Sequence, residues 1–128
     1  MAKRQANLIC CGKASIDEVF NAMDNAGSKF MTVQGQRIKA RSARYRLFKE
    51  KGTVCVCCGL KATYFRIERF PADKTFHLNL YAIDGVGHEV LFTKDHIIPR
   101  AHGGPDKLDN YQTMCMPCNA RKGDNAEI

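Results

Sequence analysis

The sequence predicts an α+β fold, because helical and extended patterns occupy separate parts of the chain instead of alternating along it. Apolar residues recur with helical spacing within the first 51 residues, whereas the middle of the chain alternates apolar and polar residues as a strand does. With 128 residues, 45% of them hydrophobic, the chain can close one core. This composition excludes a disordered tail protein and predicts a single domain.

The first part of the chain contains two predicted helices with a strand between them. The first helix begins at Ser15, because Glu18 completes a capping-box pattern and apolar side chains then recur at helical spacing. Residues 29–33 form a predicted short strand that ends at a Gln-Gly turn. A second helix is predicted over residues 40–51, basic on its outer face and ended by Gly52. Its apolar stripe is thin and consists of Ala40, Ala43 and Leu47.

Strands dominate from residue 64 onward. Residues 64–70 form one predicted strand, and residues 76–82 alternate apolar and polar side chains, which predicts a strand with one buried face. An Asp-Gly turn leads into a returning strand over residues 90–95, so that a hairpin results. A short extended segment over residues 111–115 precedes a last helix that begins near Pro117, because Pro suits a first helical turn.

Positive charge is concentrated in the first part of the chain. The net charge is 20 − 13 = +7, to which residues 1–69 contribute 14 − 5 = +9 and residues 70–128 contribute 6 − 8 = −2. Residues 37–51 hold seven basic residues and one acidic residue. Such a cluster is typical of a surface that binds a polyphosphate, and a solvated helix face is the alternative. The basic residues are Arg37, Lys39, Arg41, Arg44, Arg46, Lys49 and Lys51.

Membrane and secreted proteins are disfavoured by the same sequence. The chain has no apolar run of about 18 residues and no signal-peptide core at its start. We therefore expect a cytoplasmic location, no membrane partner, and a reducing environment in which disulfides are rare. Seven cysteines are an odd number, so a fully paired disulfide framework is excluded. The cysteines are then free thiols, nucleophiles or metal ligands.

Four of the cysteines form two C-x-x-C pairs. The pairs are Cys55/Cys58 and Cys115/Cys118, with 56 residues between them. Four thiolates are the ligand set of a closed, tetrahedral structural zinc site, which here would tie the central strands to the final helix. A redox-active pair and plain buried thiols are the alternatives. Gly59 favours Cys58 over Cys57 as the ligand, because a knuckle turn needs a residue free of a Cβ after the second cysteine.

The segment before the second pair carries further motifs. In chain order they are Asp95-His96-Ile97-Ile98-Pro99, Gly103-Gly104, Asn110, and Cys115-x-x-Cys118-Asn119 followed by Lys122. In this combination the chain resembles the HNH endonucleases, also called ββα-metal or His-Me finger nucleases, over about residues 52–122. The upstream pair of cysteines resembles that of the zinc-bearing branch of the family.

The resemblance implies a ββα-metal core stapled by a four-cysteine zinc site, and a role for each motif residue. His96 would be the general base that activates water, since an imidazole titrates near neutral pH. Asp95 and Asn119 would hold a catalytic Mg²⁺ or Mn²⁺ through oxygen atoms, and Asn110 would brace the loop that presents the base. Many members of the family have His where this chain has Asn119. Further phosphate contacts are expected from Arg100, Arg121 and Lys122.

The activity that the resemblance implies is hydrolysis of DNA phosphodiester bonds by a nuclease domain over residues 52–128. Residues 1–51 would be a helical and basic extension. Backbone contacts carry little sequence information, so nicking or weakly specific cutting is expected. A homodimer would be one route to a double-strand break, and a bacterial or phage-infected cell is the expected setting. The alternatives are a zinc-stabilised DNA-binding module with a silent nuclease site and a nuclease that acts on RNA.

Overall fold

The computed structural model describes residues 8–125, which form two compact units. The first unit comprises the described residues up to Arg41 together with Tyr64–Leu80. The second comprises Ser42–Thr63 together with the described residues from Tyr81 onward. Each unit contains both helix and strand, so the predicted α+β class is confirmed.

The first unit is built mainly from antiparallel strands. Its elements are β1 (Ile9–Ser15), α1 (Ile16–Asp24), β2 (Phe30–Val33), β3 (Gln36–Lys39), β4 (Tyr64–Arg69) and the beginning of β5 (His77–Ile83). β1 pairs with β4, β2 pairs with β3, and β4 also neighbours β5. The core of this unit includes Val19, Phe65 and Ile67, whose side chains are fully buried.

Local sequence explains the start of α1 and the turn between β2 and β3. The Oγ of Ser15 accepts a hydrogen bond from the backbone N–H of Glu18 at 3.0 Å, which confirms the predicted helix start. Gln34 and Gly35 have φ angles of 49° and 80°, the left-handed pair that a two-residue hairpin turn requires. The strand before this turn was predicted, but β3 was not, because three of its four residues are polar.

β1 was also not predicted. Its seven residues are mostly small or polar and have weak strand preference, so the antiparallel ladder to β4 imposes the extended conformation. The register shifts between Cys10 and Gly12, which marks a bulge. The two adjacent cysteines of the sequence therefore lie on a strand of the first unit.

The second unit carries the remaining elements. They are α2 (Ala43–Lys51), the end of β5, β6 (Glu89–His96), 3₁₀ turns at Arg100–His102 and Leu108–Asn110, β7 (Tyr111–Cys115) and α3 (Met116–Lys122). β6 pairs antiparallel with both β5 and β7, and α3 packs on β6 and β7. In the β6–β7 register Asp95 lies opposite Gln112, and His96 lies opposite Tyr111.

The second predicted helix is shorter than expected and buries a different face. α2 begins after Ser42, whose Oγ accepts from the backbone N–H groups of the first turn, and not at residue 40. Its buried side chains are Tyr45, Leu47 and Phe48. Of the predicted stripe, Leu47 is buried on the helix, Ala40 is buried but lies before the helix begins, and Ala43 is exposed. The aromatic residues supply far more apolar area than the two alanines, and they decide which face turns inward.

β5 is more buried than its alternating pattern suggested. Leu78, Leu80 and Ala82 are buried as predicted, whereas Phe76 is half-buried and lies just before the strand. Asn79 and Tyr81, on the face predicted to be exposed, are only 6% and 1% exposed. Asn79 is satisfied there because its amide donates to the carboxylate of Glu68 on β4 at 2.8 Å. The returning strand and the 111–115 strand were predicted correctly, as was the last helix.

The helices found within residues 8–125 contain nine, nine and seven residues. None of these is long and apolar enough to cross a membrane.

Candidate functional site

Four cysteines of the second unit meet at one point. The Sγ atoms of Cys55, Cys58, Cys115 and Cys118 all lie within 4.8 Å of one another. The Sγ atoms of Cys58 and Cys115 are 3.8 Å apart, which is much longer than the roughly 2.05 Å of a disulfide bond. Four sulfurs placed tetrahedrally about 2.3 Å from a zinc ion would be separated by about 3.8 Å. The observed spacing therefore fits a structural metal such as zinc.

Two short turns present these thiols. The backbone N–H of Gly59 donates to the carbonyl of Cys55 at 3.0 Å, and Gly59 has a φ of 79°, which an L side chain rarely adopts. This knuckle confirms the choice of Cys58 over Cys57 as a member of the cluster. The second pair lies at the junction of β7 and α3, where Cys115 is the helix N-cap.

The thiols differ in how readily they ionise before a metal binds. Burial opposes ionisation of Cys55, but backbone N–H groups of Cys58, Cys115 and Cys57 outweigh it and lower its pKa to about 6. Burial raises the pKa of Cys115 to about 11 and raises the pKa of Cys118 further. The Cys55 thiolate is thus available at neutral pH, and binding of a metal must release protons from Cys115 and Cys118.

Three of the four predicted catalytic residues, Asp95, His96 and Asn119, line a separate pocket of the same unit, whereas Asn110 does not line it. This pocket has a volume of about 250 Å³ and is lined by the side of β6 at Asp95 and His96, by Pro99 and Arg100, and by Asn119 and Lys122 of α3. Asp95 is only 5% exposed. One of its oxygens, Oδ2, accepts from Nε2 of Gln112 at 2.9 Å and lies 3.2 Å from Nζ of Lys122.

A hydrogen-bond chain fixes the orientation of the Asn119 amide. The hydroxyl of Thr93 donates its only proton to the carbonyl of Met114 at 2.8 Å. Its oxygen can therefore only accept from Asn119, whose Nδ2 lies 2.8 Å away. The carbonyl oxygen of the Asn119 amide is thereby left available to a ligand in the pocket that this residue lines. Together with Asp95 it offers two oxygen atoms of the kind that a hard divalent cation takes from protein.

His96 is held by an acidic partner that the sequence did not reveal. Its Nε2 lies 2.7 Å from Oδ1 of Asp106, and Oδ2 of Asp106 lies 3.3 Å from Arg100. The hydrogen bond from His96 and the charge of Arg100 lower the pKa of Asp106, although slight desolvation opposes them. An ionised carboxylate only accepts, so Nε2 carries the proton and Nδ1 of a neutral His96 holds the free lone pair. The ring edge also packs on Tyr111 at 5.0 Å between centroids.

Asn110 spans the loop that follows His96. Its Oδ1 accepts from the backbone N–H of Ile98 at 2.9 Å, and its Nδ2 donates to the carbonyls of Ile98 and Pro105, each at 3.0 Å. Gly104 fits tightly beside it, because a Cβ at this position would lie 1.7 Å from the carbonyl oxygen of Ile98. The loop conformation therefore depends on the buried amide of Asn110 and on the lack of a side chain at Gly104.

The predicted phosphate-binding residues do not all face the pocket. Arg37, Lys39 and Arg41 are exposed in the first unit, whereas Arg44 and Arg46 lie on α2 of the second. Arg100 is exposed at the pocket, and Lys122 is buried within it. The guanidinium of Arg121 donates to cysteine sulfurs, and its Nη2 lies 3.3 Å from Sγ of Cys118 and 3.7 Å from Sγ of Cys57.

Three residues of the site were missed by sequence reasoning. Gln112 could have been found, because pairing residues 90–95 with residues 111–115 in a hairpin would bring it near Asp95. Thr93 and Asp106 have no such signal in the sequence. Thr93 contacts Asn119, which is 26 positions away, and Asp106 contacts His96, which is 10 positions away, so both contacts depend on the tertiary fold.

Comparison with known proteins gives a family match over the segment that contains the pocket. The model of the HNH endonuclease family matches residues 87–127, which contain β6, β7, α3 and the residues that line the pocket. The resemblance expected from the motifs is thereby confirmed over this segment, and it supports nuclease activity. No curated protein and no solved structure matches the chain significantly.

Proposed function

We propose that the second unit is a metal-dependent endonuclease that hydrolyses phosphodiester bonds of DNA. The observation that carries this proposal is that Asp95, His96 and Asn119 line one pocket within the segment that matches the HNH endonuclease family. β6, β7 and α3 would form the ββα-metal core, with the strand end at His96 presenting the base.

His96 is the proposed general base. With Nε2 engaged by Asp106, its Nδ1 is the nitrogen that can take a proton from water. Asp106 also prevents the ring from turning, and Tyr111 packs against its edge. The brace by Asn110 holds the backbone that follows the base, so that the imidazole keeps one position while a substrate binds.

Asp95 and the amide oxygen of Asn119 are the proposed ligands of a divalent Mg²⁺ or Mn²⁺ ion. When bound, such an ion would neutralise charge on the phosphate that is being cleaved. The residues fit this use, because Gln112 and Thr93 orient the two ligands before any ion arrives. The four thiols would hold a separate Zn²⁺ with a structural role.

Cations at the pocket suit an anionic substrate. Lys94 and Arg100 line the pocket at half-buried and exposed positions, respectively. The basic residues of both units would add contacts to the DNA backbone, which position a duplex without reading its sequence. We therefore propose nicking or weakly specific cutting.

Cleavage of supercoiled plasmid tests the proposal. The protein should convert supercoiled DNA to open-circular or linear forms in Mg²⁺ or Mn²⁺, and both EDTA and His96→Ala should abolish the conversion. His102→Ala is the matched control, because this exposed histidine follows in the same loop but does not line the pocket, and it should retain activity. Mapping the cleaved ends would report specificity and whether one or both strands are cut.

Two results would replace this proposal with another. Retardation of DNA without cleavage in either metal would indicate a DNA-binding module with a silent site. Cleavage of RNA but not of DNA in parallel assays would assign the site to RNA, since phosphodiester chemistry alone does not distinguish the two sugars.

A further inference from the structure

A buried lysine occupies the floor of the catalytic pocket. Lys122 is 2% exposed, and its Nζ donates to the backbone carbonyl of His96 at 2.9 Å. The same Nζ lies 3.2 Å from Oδ2 and 3.5 Å from Oδ1 of Asp95, whose side chain is 6% exposed. The ammonium group is therefore fixed between the strand end and the carboxylate, and it cannot turn outward to reach a phosphate without leaving both partners.

The ion pair between Lys122 and Asp95 reduces the negative charge that the pocket presents to a metal cation. Asp95 is the buried carboxylate of the pocket, and the charge of Lys122 already balances it. The other acid that lines the pocket, Asp124, is exposed, and Lys94 and Arg100 add two further positive charges. With three cations against two acids, the residues that line the pocket have a net charge of +1 when His96 is neutral. Asp106, which pairs with Arg100, brings this sum to zero, so the pocket offers a cation no net negative charge.

We propose that Lys122 is a built-in counter-cation that makes binding of the divalent metal depend on the phosphate of the nucleic acid. This inference rests on the proposed function, because it concerns the metal ligand Asp95 and the substrate of that site. A neutralised carboxylate and a neutral amide bind a divalent ion weakly, since the ion must approach a fixed ammonium. A phosphodiester brings the missing negative charge, so metal and DNA bind cooperatively.

Lys122→Met tests this role, because it removes the charge and keeps most of the side-chain volume. Without the ammonium, Asp95 is left buried and negative, so the metal-free variant should melt at a lower temperature than the parent protein. The same bare carboxylate should bind Mn²⁺ about tenfold more tightly or better in the absence of DNA. DNA should then increase the affinity for Mn²⁺ by much less than it does in the parent.

The measurement is a Mn²⁺ titration of the full chain followed by electron paramagnetic resonance of free Mn²⁺. It is performed with and without a short DNA duplex, in a His96→Ala background that prevents cleavage and leaves the backbone contact of Lys122 in place. Lys94→Met is the matched control. It removes a charge from the same pocket, but the Lys94 ammonium lies over the ring of Tyr111 at 4.2 Å, whereas the ion pair of Asp95 is with Lys122. It should change Mn²⁺ affinity less than about threefold.

A second variant covers the case in which Lys122→Met does not fold. Lys122→Gln removes the charge but can still donate a hydrogen bond, and it should show the same tightening of Mn²⁺ binding. Unchanged or weaker Mn²⁺ binding by a folded Lys122 variant would overturn the inference. Two variants that stay unfolded even in Mn²⁺ would also overturn it, because the metal would then fail to replace the ammonium as partner of Asp95.

Failure of this inference is distinguishable from failure of the nuclease proposal. Cooperative binding of Mn²⁺ and DNA that disappears in the Lys122 variants supports the inference even if the parent protein cleaves nothing. If the parent protein cleaves DNA, but its affinity for Mn²⁺ changes neither with DNA nor on substitution of Lys122, the result supports the nuclease proposal and refutes the counter-cation.

Discussion

Replacement of Asn110 by alanine should destabilise the second unit by about 3 kcal/mol. The side chain is 6% exposed and makes three hydrogen bonds, at 2.9, 3.0 and 3.0 Å, to backbone groups of Ile98 and Pro105. Each hydrogen bond contributes about 1 kcal/mol net, and a backbone group left without a partner costs about 1–3 kcal/mol where water cannot reach it. Because Ile98 is half exposed, water relieves part of that penalty, and the sum stays near 3 kcal/mol.

Urea denaturation followed by far-UV circular dichroism measures this loss. The midpoint should fall without a change in the slope, and thermal melting should occur roughly 10 °C lower for a domain of this size. Asn21→Ala is the control, since Asn21 is exposed on α1 of the first unit, and it should change stability by less than about 0.5 kcal/mol. A loss below about 1 kcal/mol for Asn110→Ala would refute the view that this amide holds the loop.

Further predictions concern the glycine of the loop, the thiol cluster and the acid beside the imidazole. Gly104→Ala should destabilise the protein by more than about 2 kcal/mol in the same urea assay, because the new Cβ would overlap the carbonyl of Ile98. An unchanged stability would contradict the close approach of Gly104 to this carbonyl. Cys58→Ser should lose the zinc that elemental analysis detects, while Cys57→Ser should keep one zinc per chain, and equal loss from both would place the wrong sulfur in the cluster. The pKa of Asp106 is lowered, first by the hydrogen bond from its imidazole partner, so its contribution to stability is present above the ordinary carboxyl pKa of about 3.9 and is lost as pH falls through the lowered value. Asp106→Asn should therefore show less loss of melting temperature than the parent between about pH 5 and pH 2, and identical acid curves would count against the pairing.

The sequence was sufficient for elements whose signals are local. The cap at Ser15 and the two C-x-x-C pairs depend on residues within a few positions of one another, and each was located correctly. β1 and β3 were not predicted, because β1 becomes a strand only through pairing with β4, and β3 only through pairing with β2. Local patterns contain no information about such partners, since a polar or small residue adopts the extended conformation that its neighbour imposes.

The candidate site divides in the same way. The motif residues Asp95, His96 and Asn119 could be predicted from their resemblance to a family, and the structure brings them into one pocket. Asp106 could not be predicted, because it contacts His96 across a loop. Lys122 was predicted only as a phosphate contact, because its ion pair with Asp95 joins two separate elements. A lysine in a basic chain is expected at the surface, and only the packing shows that Lys122 is buried, which favours the proposed counter-cation over a phosphate contact.

The turn that carries Cys55 and Cys58 has a consequence for the outer edge of β7. The carbonyl of Thr113 on that strand accepts from the backbone N–H of Val56 at 3.0 Å, and the Thr113 hydroxyl donates to the carbonyl of Gly52 at 2.7 Å. The turn thereby covers backbone groups that would otherwise form an open strand edge, which is a template for pairing with other chains. If the four thiols hold a metal as proposed, its removal would free this turn and expose the strand edge, so we expect chelated protein to aggregate before it unfolds completely.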